Sequence, residues 1–113
     1  MLEEKARELA QLMRESDLYT EVARLRAIAI EDPTNAALIQ EYKRLQMLIQ
    51  RAAISGESLT EEMQRFQQLA AVLMMNSDAQ AFLMAEMRAQ TQFAEIIAII
   101  SEAAGFSLDE WVD

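Results

Sequence analysis

Residues 32–61 read DPTNAALIQEYKRLQMLIQRAAISGESLTE, and this stretch predicts a long helix that ends in a tight turn. Asp32 suits the N-cap position and Pro33 the first turn of a helix, where its missing N–H is not needed. Gly56 suits a left-handed helix ending. Between these signals, apolar residues alternate at spacings of four and three, which is typical of a helix with one buried side. This seam consists of Leu38, Tyr42, Leu45, Ile49 and Ala52.

A second helix is predicted directly after Gly56. Ser58 and Glu61 match the S-x-x-E capping box, in which two side chains satisfy the free N–H groups of a helix start. Its seam consists of Leu59, Met63, Phe66, Ala70 and Leu73. Because a short connection between two long helices leaves them side by side, we expect an antiparallel helical hairpin.

The same periodicity extends to both ends of the chain and predicts an all-α fold with four to five helices. The upstream seams consist of Leu2, Ala6, Leu9 and Met13, and of Leu18, Val22, Leu25 and Ala29. Residues 14–18 leave open whether these two form one helix or two. The last helix is expected over about 78–104, with a capping box at Ser77 and Gln80 and a stop at Gly105. Its seam consists of Ala79, Phe82, Glu86, Ala89, Phe93, Ile96 and Ile100.

Composition limits the chemistry of the chain. Its 113 residues, 52% of them hydrophobic, suit one domain over 1–113, and two Gly and one Pro are too few for a sandwich or barrel. Without Cys or His, it has no disulfide, no Cys/His metal site, no iron-sulfur ligand and no imidazole or thiolate catalysis. Glycines at 56 and 105 alone provide no phosphate-binding loop. We therefore expect no enzyme activity, metal or cofactor.

The last helix carries more apolar residues than one chain is expected to bury. Within residues 93–100, Glu95 is the only polar residue, so the helix is apolar on nearly every side. A helix of this kind is typically buried on nearly every side. We therefore expect an oligomeric helical bundle, a homodimer or a larger assembly, in which other helical regulatory proteins are further candidate partners. The predicted interface consists of Phe93, Ile96, Ile97, Ile100, Met74 and Met87. Trp111 is expected to anchor the tail on the core.

Charge argues against nucleic acid as the main partner. The net charge is -9, which repels phosphate chains over the molecule as a whole. The exception is residues 33–56, where Lys43, Arg44 and Arg51 form a basic patch with a single acid, Glu41. This patch is interpreted either as a solvated face or, in the alternative function, as the RNA-binding site of an accessory protein. The eight Met residues leave a third alternative, a holdase-type helical chaperone.

A cytoplasmic location without membrane insertion is expected. Met1 leads directly into a charged run, which is not the pattern of a signal peptide. The longest apolar stretches fall far short of the roughly 20 residues that span a bilayer.

The order and spacing of several motifs resemble the YlbF/YmcA family of bacterial regulators, often described as control-of-competence proteins, and especially its short YheA-like branch. The resemblance covers nearly the whole chain. It consists of Ser16-x-x-Tyr19, Asp32-Pro33, Leu38-Ile39-x-x-Tyr42-x-x-Leu45-Gln46, Ser55-Gly56-Glu57, Asn76, Phe82-x-x-Ala85-Glu86 and Ile96-Ile97-x-x-Ile100.

The resemblance implies an all-helical protein with a long hairpin that forms homo- or hetero-oligomers and has no catalytic residues. Better-known members act in competence, sporulation and biofilm formation, through a complex that assists mRNA processing. Members of that complex resemble one another in carrying cysteines associated with iron-sulfur clusters. This chain has no cysteine, so no ligand residue is carried over from them.

Overall fold

The computed structural model describes residues 1–106, and this part of the chain contains five α-helices and no strand. They are α1 (Leu2–Glu15), α2 (Asp17–Ala29), α3 (Pro33–Ser55), α4 (Thr60–Met74) and α5 (Ser77–Ala104). The predicted all-α fold is confirmed. Trp111, the expected anchor, lies outside the described residues. None of the five helices is both long and apolar enough to span a bilayer.

Ser16 separates α1 from α2, which answers the question that residues 14–18 leave open in the sequence. Its backbone is extended, with φ -67° and ψ 155°, so the helix cannot run through it. The Ser16 hydroxyl donates a hydrogen bond of 2.6 Å to the Met13 carbonyl oxygen and lies 3.5 Å from the Tyr19 N–H. One serine therefore helps to end one helix and to begin the next.

Both predicted ends of α3 are confirmed. The Asp32 carboxylate accepts a hydrogen bond of 2.8 Å from the Thr34 N–H, and Pro33 occupies the first turn. Gly56 has φ 81°, and its N–H donates to the Ala52 carbonyl oxygen at 2.8 Å. This is the left-handed ending that the glycine was expected to provide.

The predicted antiparallel hairpin of α3 and α4 is also confirmed. The Tyr42 and Phe66 rings stack with centroids 4.7 Å apart, and the Arg65 guanidinium lies 3.0 Å from the Glu41 carboxylate. On the seam itself, Leu45, Ala52 and Leu73 are buried. The turn of residues 56–59 thus returns α4 along the apolar side of α3.

Both predicted capping boxes are wrong. The helix α4 begins at Thr60, after an N-cap at Leu59 that makes no side-chain hydrogen bond. The Ser58 hydroxyl is one position too early and lies 3.3 Å from the Thr60 hydroxyl instead. At α5, the Asn76 side-chain oxygen accepts the Ala79 N–H at 3.0 Å, so Asn76 takes the role that was expected of Ser77. An Asn cap is about as favourable as a Ser cap, so composition could not separate these neighbours.

The chain divides into two compact units. One comprises Ala23–Leu83, and its core includes the hairpin seam with Ala29, Ile39 and Phe82. The other comprises Met1–Val22 together with the chain from Met84 onward, where Ala85 and Ala89 are the buried apolar residues among those described. The second unit therefore has a small apolar core for its length. A single domain over 1–113 stays a prediction.

The end of α5 agrees with its prediction. Gly105 has φ 70°, the Phe106 N–H donates to the Ser101 carbonyl oxygen at 2.9 Å, and the Gly105 N–H donates to Glu102 at 3.2 Å. These two bonds form a Schellman ending, which satisfies two of the last helix carbonyls. The helix is therefore well terminated immediately after its apolar second half.

Candidate interaction surfaces

Four of the six predicted interface residues lie on one face of α5, which we call the seam surface: Phe93, Ile96, Ile97 and Ile100. The same face is buried one turn earlier at Ala89. From Phe93 onward it opens to solvent: Phe93 and Ile100 are about half exposed, Ile97 is 38% exposed and Ile96 is half-buried. Among the described residues, the α5 seam of this unit is thus covered up to Ala89 and exposed to solvent from Phe93 onward.

A shallow groove lies where the covering of the seam stops. Its walls include Tyr19 and Val22 from α2 and Phe93 from α5. The Tyr19 hydroxyl donates a hydrogen bond of 3.2 Å to the Ala89 carbonyl oxygen, which fixes α2 against α5 at this point. Glu86 and Gln90 also line the groove, so it continues the seam surface with a mainly apolar wall and one carboxylate.

The remaining two predicted interface residues lie elsewhere. Met87 belongs to a second shallow groove along α5, with Met84 and Thr91, on the side away from Ile96. Met74 is the last residue of α4, in the other unit. Within its own unit, Met87 therefore lies on a different side of α5 from the four residues of the seam surface. The periodic seam of α5 indicates Phe93, Ile96 and Ile100, and the nearly all-apolar stretch 93–100 adds Ile97. The two methionines are predicted from the adaptability of the thioether and, for Met74, from its place beside Met75 on two adjoining faces.

The three cations of the predicted basic patch have different surroundings. The Arg44 guanidinium grips the Glu41 carboxylate with two hydrogen bonds of 2.6 and 2.9 Å. The Lys43 ammonium lies 5.1 Å from the centre of the Phe82 ring. The Arg51 side chain is exposed and makes no hydrogen bond or ion pair with any residue of 1–106. The three side chains therefore do not form one cluster of equivalent charges.

The paired charges of Glu41 and Arg44 influence each other's titration. The Arg44 hydrogen bond, helped by the charges of Arg44 and Arg65, lowers the pKa of Glu41 from its ordinary 4.5. In return, the hydrogen bond and the charge of Glu41 raise the pKa of Arg44. The Glu41 carboxylate thus binds two arginines, one on its own helix and one on α4, and it offsets part of the positive charge of the patch.

Metal ligands do not come together within residues 1–106. No group of three or more Asp or Glu side chains is placed to share an ion there. What the described surface offers is apolar side chains on helices. Sequence reasoning missed the exposed Ile54 at the end of α3, because periodicity assigns only one seam to each helix. It placed Ile99 in the apolar stretch 93–100 but not among the predicted interface residues.

The family comparison agrees with the motifs quoted above. Residues 2–104 match the family described as "Control of competence regulator ComK, YlbF/YmcA". The match extends over all five helices.

Individual relatives agree with this match over most of their length. A UPF0342 protein of Symbiobacterium thermophilum is 30% identical over 104 residues, which cover 91% of this chain and 93% of that protein. A UPF0342 protein of Halothermothrix orenii is 28% identical over 96 residues, covering 84% and 81%. A protein of unknown function (DUF964) from Bacillus stearothermophilus has a similar structure, with a TM-score of 0.75 over 92% of each chain. Its 20% identity shows the fold alone.

Proposed function

Because this chain belongs to the YlbF/YmcA family of control-of-competence regulators, we propose that it is a non-enzymatic regulatory adaptor that acts in the cytoplasm by binding other proteins. In this proposal the chain associates with itself through the seam surface. The regulatory role rests on the family, and the mode of action rests on the exposed face of α5.

The observation that carries the proposal is the change in exposure along one helix face. Ala89 is buried, whereas Phe93, Ile97 and Ile100 on the same face are exposed. Large apolar side chains grouped on one face are typical of a protein-binding surface. The flanking Gln90, Gln92 and Ser101 are uncharged, and the carboxylate on this face, Glu86, lies at the N-terminal side of the exposed residues, in the wall of the groove.

Burial of the seam surface offsets the free-energy cost of joining two chains. Burying the exposed half of four such side chains on each of two chains would contribute roughly 6–12 kcal/mol. Joining two chains costs about 4–15 kcal/mol in lost freedom. The two ranges are comparable, so these four side chains offset the cost of joining the chains. A dissociation constant on the order of micromolar needs about 8 kcal/mol beyond that cost, so the proposal requires that the rest of the contact, including the groove formed by Tyr19 and Val22, contributes as well.

Sedimentation velocity over a range of concentrations tests the self-association. We expect the mass to rise as the concentration passes through roughly 1–100 µM. A stable monomer over the whole range would contradict self-association. A host strain that lacks the gene tests regulation: the wild-type gene should restore the phenotype of the strain, and an interface variant that folds normally should not.

A further inference from the structure

The outer side of α3 combines cations with exposed apolar residues. Lys43, Met47, Arg51 and Ile54 follow one another at spacings of four, four and three, so they lie along one side of the helix. Met47 is 54% exposed and Ile54 is 89% exposed, whereas Leu45 and Ala52 on the other side are buried. We call these four residues the α3 stripe.

A groove adjoins the stripe at its N-terminal end. It lies within the unit Ala23–Leu83 and is lined by residues of α2, the turn after it, α3 and α5: Arg26, Ile30, Ala36, Ile39, Gln40, Lys43 and Phe82. Ile39 and Phe82 are buried. The Arg26 side chain is exposed and makes no hydrogen bond or ion pair within residues 1–106. The floor of the groove is therefore apolar, and cationic side chains lie at its edge. Lys43 belongs both to the groove and to the stripe.

Charge indicates what this surface attracts. The whole chain carries -9, yet residues 33–56 carry three cations and one anion, a local charge of +2. A surface of opposite sign to the rest of the molecule orients an approaching acidic partner toward itself. Burial of the exposed Met47 and Ile54 is favourable only against apolar side chains, so the same partner should also present an apolar surface.

An amphipathic helix with acidic edges meets both requirements. Such a helix places apolar residues on one face and carboxylates beside them, and it binds in grooves through anchors at i, i+3, i+4 and i+7. From Gln40 to Ile54 the surface runs about 21 Å along α3, which matches a partner helix of about four turns.

RNA fits the same surface less well. Arg44, the cation beside the stripe, already holds the Glu41 carboxylate. The nearby Tyr42 ring is stacked on Phe66, so it is not presented for base stacking, on which single-stranded RNA binding relies. Exposed Met47 and Ile54 would contribute little to binding a phosphate chain.

We propose that the α3 stripe and its adjoining groove bind an acidic amphipathic helix of a partner protein. This inference deepens the proposed adaptor function and rests on it, because it states the kind of partner that the adaptor binds. Arg26 and Arg51 meet the carboxylates at the two ends of the bound helix. Met47 and Ile54 meet its apolar face.

A designed peptide tests the surface directly. The probe is a fluorescent 18-residue helix with leucines at i, i+3, i+4 and i+7 and glutamates beside them, and the control peptide has the same composition in scrambled order. We expect fluorescence anisotropy to give saturable binding of the probe, with a dissociation constant on the order of tens of micromolar at low salt. Raising the salt should weaken it about fivefold or more, since exposed charges are screened. Equal binding of the scrambled peptide would overturn the proposal.

Matched variants locate the binding site. The double variant Arg26→Glu, Arg51→Glu should weaken binding of the probe roughly tenfold or more. The control is the double variant Arg7→Glu, Arg88→Glu, which changes the net charge by the same amount at positions far from the stripe in sequence. Its dissociation constant for the probe should stay within about twofold of the wild-type value. Met47→Ser with Ile54→Ser should weaken binding without changing the charge. Equal losses for the two charge pairs would show attraction by net charge alone and overturn the proposal. The same assay is run with a mixed-sequence RNA of about 20 nucleotides. If the RNA binds more tightly than the probe, and the Arg26→Glu, Arg51→Glu variant loses this binding, the surface is an RNA-binding site and the proposal is overturned.

The test separates this inference from self-association. Thermal melting monitored by circular dichroism verifies that each variant folds. The Arg26→Glu, Arg51→Glu variant should keep the sedimentation behaviour of the wild type. A monomeric wild type that binds the probe would contradict the self-association alone, and an oligomer that does not bind it would contradict the docking surface alone.

Discussion

The Tyr19 hydroxyl donates a hydrogen bond to the main-chain carbonyl oxygen of Ala89, at 3.2 Å, between residues 70 positions apart in the sequence. Ala89 is the last buried residue of the α5 seam before Phe93. The bond therefore joins the first turn of α2 to the point on α5 where the seam surface begins. It fixes one wall of the groove formed with Val22 and Phe93.

Replacing Tyr19 with Phe should destabilise the protein by about 1 kcal/mol. The substitution removes only the hydroxyl, and a partly buried hydrogen bond typically contributes about that amount. Urea unfolding followed by circular dichroism measures the difference. Tyr19→Ala removes the ring as well and should cost about 2–4 kcal/mol. Equal stability of Tyr19→Phe and the wild type would show that this bond contributes nothing.

Replacing Gly56 with Ala should cost about 1 kcal/mol, because the residue has φ 81° and a Cβ is unfavourable in that region. A Cβ at Gly56 would have no atom within 4 Å to collide with, so backbone strain alone sets the cost. Gly56→Asn should cost less, since Asn tolerates the left-handed conformation better. The melting temperature should decrease in the order wild type, Gly56→Asn, Gly56→Ala. An alanine variant as stable as the wild type would contradict this account of the turn.

The hairpin could be predicted because its signals are local. Asp32, Pro33 and Gly56 act on the backbone within one turn of their own positions, and the seams of α3 and α4 need only helical periodicity. Between Asn76 and Ser77, local signals were ambiguous, since both residues are good caps and stand next to each other. The Tyr19 to Ala89 bond follows from no periodic pattern, because it depends on how two distant helices meet.

The candidate surfaces divide in the same way. Apolar residues 93–100 exceed what one helix face holds, so an exposed group on α5 could be predicted from composition alone. Which methionines join it depends on tertiary structure: Met87 lies on another side of α5, and Met74 ends α4 in the other unit. The basic patch was visible in the sequence. The net charge of the patch gives no sign of the bidentate contact from Arg44 to Glu41, although a spacing of three on a helix makes such a pair favourable.

Glu41 should make the hairpin sensitive to acid. Its pKa in the folded protein is lowered from 4.5, chiefly by the Arg44 hydrogen bond. A lowered folded-state pKa stabilises the protein above the unfolded value, and this contribution is lost as the pH falls through the folded value. We therefore expect the urea midpoint of the wild type to fall more steeply below about pH 4.5 than that of Glu41→Gln. Parallel curves for the two proteins would contradict a role for this carboxylate.

Ile97 and Ile99 provide a matched test of the seam surface. They are the same residue type, two positions apart, and therefore lie on nearly opposite sides of α5, because successive helical residues are about 100° apart. Ile97 belongs to the seam surface and is 38% exposed; Ile99 lies off it and is 65% exposed. Ile97→Asp places a charge in the proposed contact and should weaken self-association about 100-fold or more, since a buried unpaired charge costs several kcal/mol.

Ile99→Asp makes the same chemical change and should leave the association constant within about threefold, because its carboxylate stays in water. Sedimentation velocity on both variants and the wild type gives the comparison, and thermal melting shows whether Ile97→Asp remains folded. If Ile97→Asp unfolds, Ile100→Asp replaces it, because Ile100 is about half exposed and disturbs the monomer less. Dissociation by Ile99→Asp, but not by the seam variants, would place the contact on the other side of α5. An unchanged mass in every folded variant would contradict association through α5 altogether.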